Sequence, residues 1–191
     1  MDGLELCNKL KADERTSHIP IILLTAKADL HSKIEGLQLG ADDYIAKPFE
    51  LEELEARMQN LIQTRKKLRS LFSTSLELKP NDIVVESLDN RFLKRTLVAI
   101  EEHIADEKFS VEVLALEVGM SHVQLYRKLR ALTGKTPNEV IRNLRLARAH
   151  FLLNEKAGNV SEVAYLTGFR NTSYFAKCFK EKFGVSPSEV K

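Results

Sequence analysis

The chain has 191 residues, 43% of them hydrophobic and 29% charged, with few glycines and prolines and only two cysteines. That composition excludes collagen-like, low-complexity and disulfide-scaffold classes and leaves room for one large domain or two small ones. The formal charge of +2 hides an asymmetry: residues 1–72 hold 11 Lys/Arg against 12 Asp/Glu, whereas residues 121–191 hold 13 against 5. A net of +8 on the last part is what a nucleic-acid-binding half behind a neutral half carries.

Met1 is followed at once by Asp2, Glu5 and Lys9, so no leading signal peptide is expected. The longest apolar run, residues 19–26, is too short to cross a bilayer. In chain order, residues 4–11 have helical spacing, and 19–25 form a continuous β-branched run that predicts a buried strand. Residues 28–39 are helical and stop at Gly40. Residues 43–47 predict a short strand broken by Pro48, and 50–71 a long amphipathic helix. Helices alternating with strands over short connections imply a parallel sheet with helices upon it. Only two strands are present, so 1–72 predicts a truncated α/β unit. An unpaired strand edge and exposed apolar surface follow, with 1–48 loosely packed or covered by an oligomer partner. Residues 73–90, polar and containing Pro80, predict a linker, with Asp89 or Asn90 capping the next helix. From 91 onward the pattern is all-α.

The all-α part contains an internal repeat. Ala115 precedes Gly119 by four residues, as Ala164 precedes Gly168. Each glycine is followed by a helix with apolar anchors, Leu125, Leu129 and Leu132 in the first copy, Phe175, Phe179 and Phe183 in the second. Each copy closes on a similar string, Gly134-Lys-Thr136-Pro137-Asn-Glu139-Val140 and Gly184-Val-Ser186-Pro187-Ser-Glu189-Val190. The small residue permits close helix crossing, and the glycine supplies the positive φ of a tight turn. Thr136 and Ser186 read as N-caps, each with proline at the first helical position and glutamate completing a capping box. Two tandem helix-turn-helix motifs are therefore predicted.

Opposite the anchors, the first recognition helix presents Val123 and Arg127, flanked by Gln124, Tyr126, Arg130 and Ala131. The second presents Ser173, Ala176, Lys177 and Lys180. These faces mix cations, hydrogen-bonding groups and small residues, as the edges of base pairs in a major groove require. Residues 137–153 predict one joining helix, on which Arg142, Arg145 and Arg148 either line the phosphate side or serve as surface ion-pair partners. The five histidines (His18, His31, His103, His122, His150) show no metal spacing, nucleophile–base pair or phosphate loop. No catalytic site, metal or cofactor is expected, and His122, opening the first recognition helix, reads as a DNA contact. Cys7 and Cys178, each among apolar neighbours, read as buried thiols in a reducing cytoplasm.

Residues 90–191 resemble the AraC/XylS-type DNA-binding domain, and VSEVAYLTGFRNTSYFAKCFKEKFGVSPSEV at 160–190 is close to that family's second motif. The resemblance implies seven helices and recognition helices in adjacent major grooves. Matched by motif position, base contacts fall on Val123, Tyr126 and Arg127, and on Thr172, Ser173, Ala176 and Lys177. Val123 and Ala176 are apolar where some members carry polar or aromatic readers. Residues 1–72 resemble the C-terminal half of a response-regulator receiver domain through MDGLEL, IILLTA and GADDYIAKPF. That resemblance implies phosphoryl contacts from Thr25 and Lys47 and a switch role for Tyr44. The family's phosphoacceptor aspartate and acidic Mg²⁺ pair lie upstream of the MDG motif, and Asp2, Asp42 and Asp43 do not occupy those positions. Together the resemblances imply the end of a longer cytoplasmic regulator, or the cytoplasmic part of a membrane-bound hybrid sensor. Such a regulator has a sensor kinase upstream and forms a homodimer where the receiver is complete. The competing reading is a protein-interaction or dimerisation module without sequence-specific DNA binding. The fold class expected is an α/β partial receiver plus an all-α tandem helix-turn-helix domain, divided as 1–72, linker 73–90 and 91–191.

Overall fold

The computed structural model describes residues 1–26, 30–75 and 87–190. The elements run α1 (Gly3–Ala12), β1 (Ile22–Thr25), α2 (Leu30–Gln38), β2 (Asp43–Ala46), α3 (Leu51–Ser75), α4 (Leu88–Glu102), α5 (Val111–Glu117), α6 (His122–Thr133), α7 (Pro137–Asn154), α8 (Val160–Leu166) and α9 (Thr172–Phe183), with a 3-10 turn at Pro187–Glu189. Two compact units form: Met1–Arg91 with Arg127–Gly134, and Phe92–Tyr126 with Lys135–Lys191.

In the first unit, Asp2 caps α1, its carboxylate accepting the Glu5 N–H at 2.8 Å. The strands pair in parallel, in the register Ile22↔Asp43 to Thr25↔Ala46. The connection through α2 makes this a β-α-β unit. Cys7, Leu23, Ala41 and Tyr44 form its core, with Leu4 and Ile21 packed against them. Burial pushes the Cys7 thiol pKa up. The ion pairs of Asp42 and Asp43 keep them structural: Asp42 meets Lys11 at 2.5 Å and Arg65 at 3.2 Å, and Asp43 meets Arg57 at 2.8 Å.

The expected buried strand at 19–25 is shorter and barer than its sequence implies. It begins only at Ile22, because Pro20 has no N–H to donate and Ile19 turns back to the Thr16 carbonyl. Ile19 and Leu24 stay 42% and 41% exposed, since among the described residues β1 pairs on one side only. Pro20, Ile22, Leu24, Leu54, Met58 and Ile62 line an open apolar groove of about 380 Å³ between β1 and α3.

Helix α3 runs four residues past its predicted end, no glycine or proline standing in its way. Of the predicted linker at 73–90, residues 76–86 lie outside the described residues, 73–75 end α3, and 88–90 begin α4. Neither Asp89 nor Asn90 caps α4. The Ser87 hydroxyl, three residues before Asn90, accepts that residue's N–H at 3.2 Å, while Asp89 accepts a hydrogen bond from the Ser17 hydroxyl at 2.8 Å.

The second unit is helical throughout. A hydrophobic core joins α7, α8 and α9 through Leu146, Ala149, Leu153, Val163, Ala164, Phe169, Phe175, Cys178 and Phe179. The rings of Phe169, Phe175, Phe179 and Phe183 follow one another at tilted centroid distances of 5.0, 5.6 and 4.6 Å. Phe183, an expected anchor, is only half-buried and stacks on His150 at 4.5 Å.

Candidate nucleic-acid interface

The two helix-turn-helix motifs are α5–α6 and α8–α9, and their turns are closed by the same hydrogen bonds. Gly119 N–H donates to Leu116 O and Met120 N–H to Ala115 O. Gly168 N–H donates to Tyr165 O and Phe169 N–H to Ala164 O, all at 2.9–3.0 Å. Both glycines are left-handed, at φ +69° and +75°, and Ala115 and Ala164 are buried at the crossings. A full capping box stands at Thr136/Glu139, and at Ser186 the Glu189 carboxylate accepts the Ser186 N–H at 2.7 Å while the Glu189 N–H donates to the Ser186 carbonyl, with Pro137 and Pro187 at the first turn. The repeat read from the sequence is thus a repeat of geometry.

On α6, Leu125 and Leu129 are fully buried and Leu132 nearly so, whereas His122, Val123, Tyr126, Arg127 and Arg130 are exposed. On α9, Phe175 and Phe179 are fully buried. Ser173, Lys177 and Lys180 are exposed, and Thr172 and Ala176 half-exposed. Arg127, Lys177 and Lys180 have no ion-pair partner among the described residues. Gln124 is half-buried and partly committed, its side-chain carbonyl accepting the Ser121 N–H at 2.9 Å as part of the α6 cap. Its amide NH₂ remains the group with which it could read a base. His122 Nε2 lies 3.9 Å from the Glu112 carboxylate.

Four cations behave in ways the helical period does not reveal. Lys128, on α6, is fully buried within the first unit. Its ammonium meets Asp89 at 2.7 Å, the Ser17 hydroxyl at 2.9 Å and the Glu14 carbonyl. Arg145, on α7, is half-buried and donates to two backbone carbonyls, Gly168 at 3.1 Å and Asp106 at 2.5 Å. Arg142 reaches the Tyr174 hydroxyl at 3.5 Å, a contact that raises its already high pKa. Arg148 is exposed and lies 5.4 Å over the Phe151 ring. The three arginines of α7 therefore do three different things, and none forms an ion pair among the described residues.

Between the two motifs, with α7 as its floor, lies an open groove of about 800 Å³. Lys108, Arg142, Arg145 and Arg170 supply positive character, against Glu107 and Glu112, and His122 also lines it. Tyr174, 51% exposed on its rim, escaped the sequence reading because its position lies between the buried and outward stripes of α9.

In the first unit, Thr25 and Tyr44 line a small cavity of about 150 Å³ at the α1 N-terminus and the end of β1, together with Asp2, Gly3 and Leu4. Lys47 is exposed, its N–H donating to the Thr25 carbonyl at 2.7 Å, and its peptide bond to Pro48 is cis. Tyr44 is 6% exposed.

Residues 114–191 match the family model for a helix-turn-helix domain, and residues 1–59 that for a response regulator receiver domain. The chain is 42% identical over 189 residues to histidine kinase P4 of Formosa agariphila, a match covering 99% of this chain and 14% of that protein. It is 27% identical over 199 residues to the DNA-binding dual master transcriptional regulator RpaA of Synechocystis, covering 98% of this chain and 76% of that one. A solved transcriptional regulator of Chromobacterium violaceum, described as containing an AraC-type DNA-binding domain, superposes with a TM-score of 0.50 at 27% identity. That superposition covers 52% of this chain and 88% of the other.

Proposed function

We propose that this chain, an AraC-type helix-turn-helix domain joined to part of a response regulator receiver domain, is the sequence-specific DNA-binding end of a two-component transcription regulator. The observation that carries this reading is duplication: two recognition helices, each held by the same turn and each turning cations outward beside hydrogen-bonding side chains. A solvated basic face explains one such helix. Two with matched turns are what successive major grooves of one duplex require.

In this reading Val123, Tyr126 and Arg127 meet the bases of one half-site, and Thr172, Ser173, Ala176 and Lys177 those of the other. His122, Gln124, Arg130 and Lys180 flank them on bases or phosphates. The groove between the motifs would lie over the backbone joining the two half-sites, with Arg142 and Arg170 toward phosphate. In the first unit Thr25 and Lys47 would contact a phosphoryl group and Tyr44 would report its presence. The phosphoacceptor and any Mg²⁺ ligands would come from a preceding segment, in a homodimer governed by a sensor kinase. The Formosa relative, named a histidine kinase and matched over 14% of its length, supports a hybrid arrangement in which kinase and DNA-binding end share one chain.

Selection of sites for the full chain from a random duplex library, followed by affinities across a salt series, tests the reading. Two short motifs centred about 10–11 bp apart are expected. Arg127→Ala should relax one motif and Lys177→Ala the other, each at a cost of about 1–3 kcal/mol. Sequence-blind, salt-sensitive binding would remove the base-reading roles, and no binding at all would favour the protein-interaction module.

A further inference from the structure

We propose that Arg145 is a positioning residue that locks the two helix-turn-helix motifs at one separation and angle, and so sets the spacing of half-sites the protein accepts. The inference rests on the DNA-binding reading for its consequence, but not for its geometry.

Arg145 lies near the middle of α7, the helix joining the motifs. Its two terminal nitrogens point to different parts of the chain. One donates to the carbonyl of Gly168, inside the turn of the second motif, at 3.1 Å. The other donates to the carbonyl of Asp106, in the connection that leads into the first motif, at 2.5 Å. A guanidinium is a rigid planar fork, so holding both carbonyls fixes their mutual position as well as their distance from α7. The fork is packed as well as bonded. A Cβ on Gly168 would fall 2.7 Å from the Arg145 Cζ and 2.6 Å from the Ile104 carbonyl oxygen. The turn of the second motif is therefore pressed directly onto the guanidinium and onto the end of α4.

Neither neighbouring arginine on α7 does this: Arg142 meets a tyrosine hydroxyl and Arg148 an aromatic ring. The turn of the first motif is held differently: Arg95, on α4, donates to the Val118 carbonyl at 3.0 Å, and a Cβ on Gly119 would meet nothing within 4 Å. The packed contact between guanidinium and turn glycine belongs to the second motif. One weaker tie crosses the same joint, an exposed pair between Arg170 and Glu107 at 3.4 Å.

The test uses the full chain with Cys7 and Cys178 replaced by alanine and spin labels at Val123→Cys and Ser173→Cys, both exposed positions. Without DNA, a single narrow distance distribution is expected, broadened in Arg145→Gln. On unlabelled protein, affinities are measured for duplexes with the half-sites centred 9 to 13 bp apart, and for each half-site alone. Arg145→Gln should lose about tenfold at the preferred spacing while the single half-sites bind as before, flattening the spacing profile. Arg145→Lys keeps the charge but meets one carbonyl at a time, so it should fall between the two. An unchanged distance distribution in Arg145→Gln would overturn the proposal, and so would a parallel loss on all duplexes including single half-sites. Should Arg145→Gln unfold the chain, a wild-type distribution in Arg145→Lys would overturn it. If the wild-type chain shows no sequence preference, the DNA-binding reading fails and the distance measurement alone decides the role of Arg145.

Discussion

Gly119 and Gly168 occupy equivalent turns at φ +69° and +75°, yet they are not equivalent sites for substitution. Alanine at 119 meets open space and should cost only the strain of a left-handed Cβ, about 1–2 kcal/mol. Alanine at 168 adds a collision with the Ile104 carbonyl and the Arg145 guanidinium, so Gly168→Ala should destabilise clearly more than Gly119→Ala. Thermal or urea unfolding of the two variants, followed by helical circular dichroism, checks the order. His18 carries a second prediction. It is 8% exposed with Nδ1 unpartnered, and burial first, then the positive charge of Lys128, lowers its pKa to about 4. The unfolded chain takes up this proton near pH 6.5, the folded chain only near pH 4. The contribution to stability is therefore complete above pH 6.5 and is lost as pH falls toward 4, by on the order of 3 kcal/mol. Hydrogen-exchange opening energies at Ile22–Thr25 should drop between pH 7 and pH 5 in the wild type, and by much less in His18→Gln. An imidazole titrating near 6.5 by NMR would contradict this.

Among the elements, those written in local chemistry were the ones legible in advance. The caps at Thr136 and Ser186, the glycine turns and the anchors Leu125, Leu129, Phe175 and Phe179 each depend on neighbours within a few residues, and all stand where the spacing puts them. Strand β1 was less legible, since an apolar run records hydrophobicity but not how many partners a strand has. Leu24 is exposed for want of a second one among the described residues. The interface shows the same division. Helical period placed Arg127 and Lys177 outward, but it gave no sign that Lys128 is buried against Asp89 and Ser17, both distant in sequence. Arg145 was equally opaque, because its partners are backbone carbonyls and a carbonyl has no residue type. Its alternatives, phosphate contact or surface ion pair, omitted what it does.

At the scale of the whole molecule, the +8 of residues 121–191 is distributed unevenly in effect, Lys128 being neutralised inside the fold while Arg127, Lys177 and Lys180 are not. Arg127, Lys177 and Lys180 lie on the two recognition helices, which α7 joins over 18 residues, about 27 Å of helix. With Arg145 holding the middle of that helix to the second turn and to the connection into the first motif, the joint has little freedom to follow a partner. Two readers on a stiff mount respond to more than the letters of a half-site. The rotation of one groove relative to the next depends on how tightly the duplex is wound, so over- or underwinding the intervening turn would swing one half-site away from its reader. Binding by this chain should therefore vary with superhelical density at constant sequence, and affinities on topoisomers of one minicircle would measure it. The strut would make the protein a gauge of torsion in the duplex it binds.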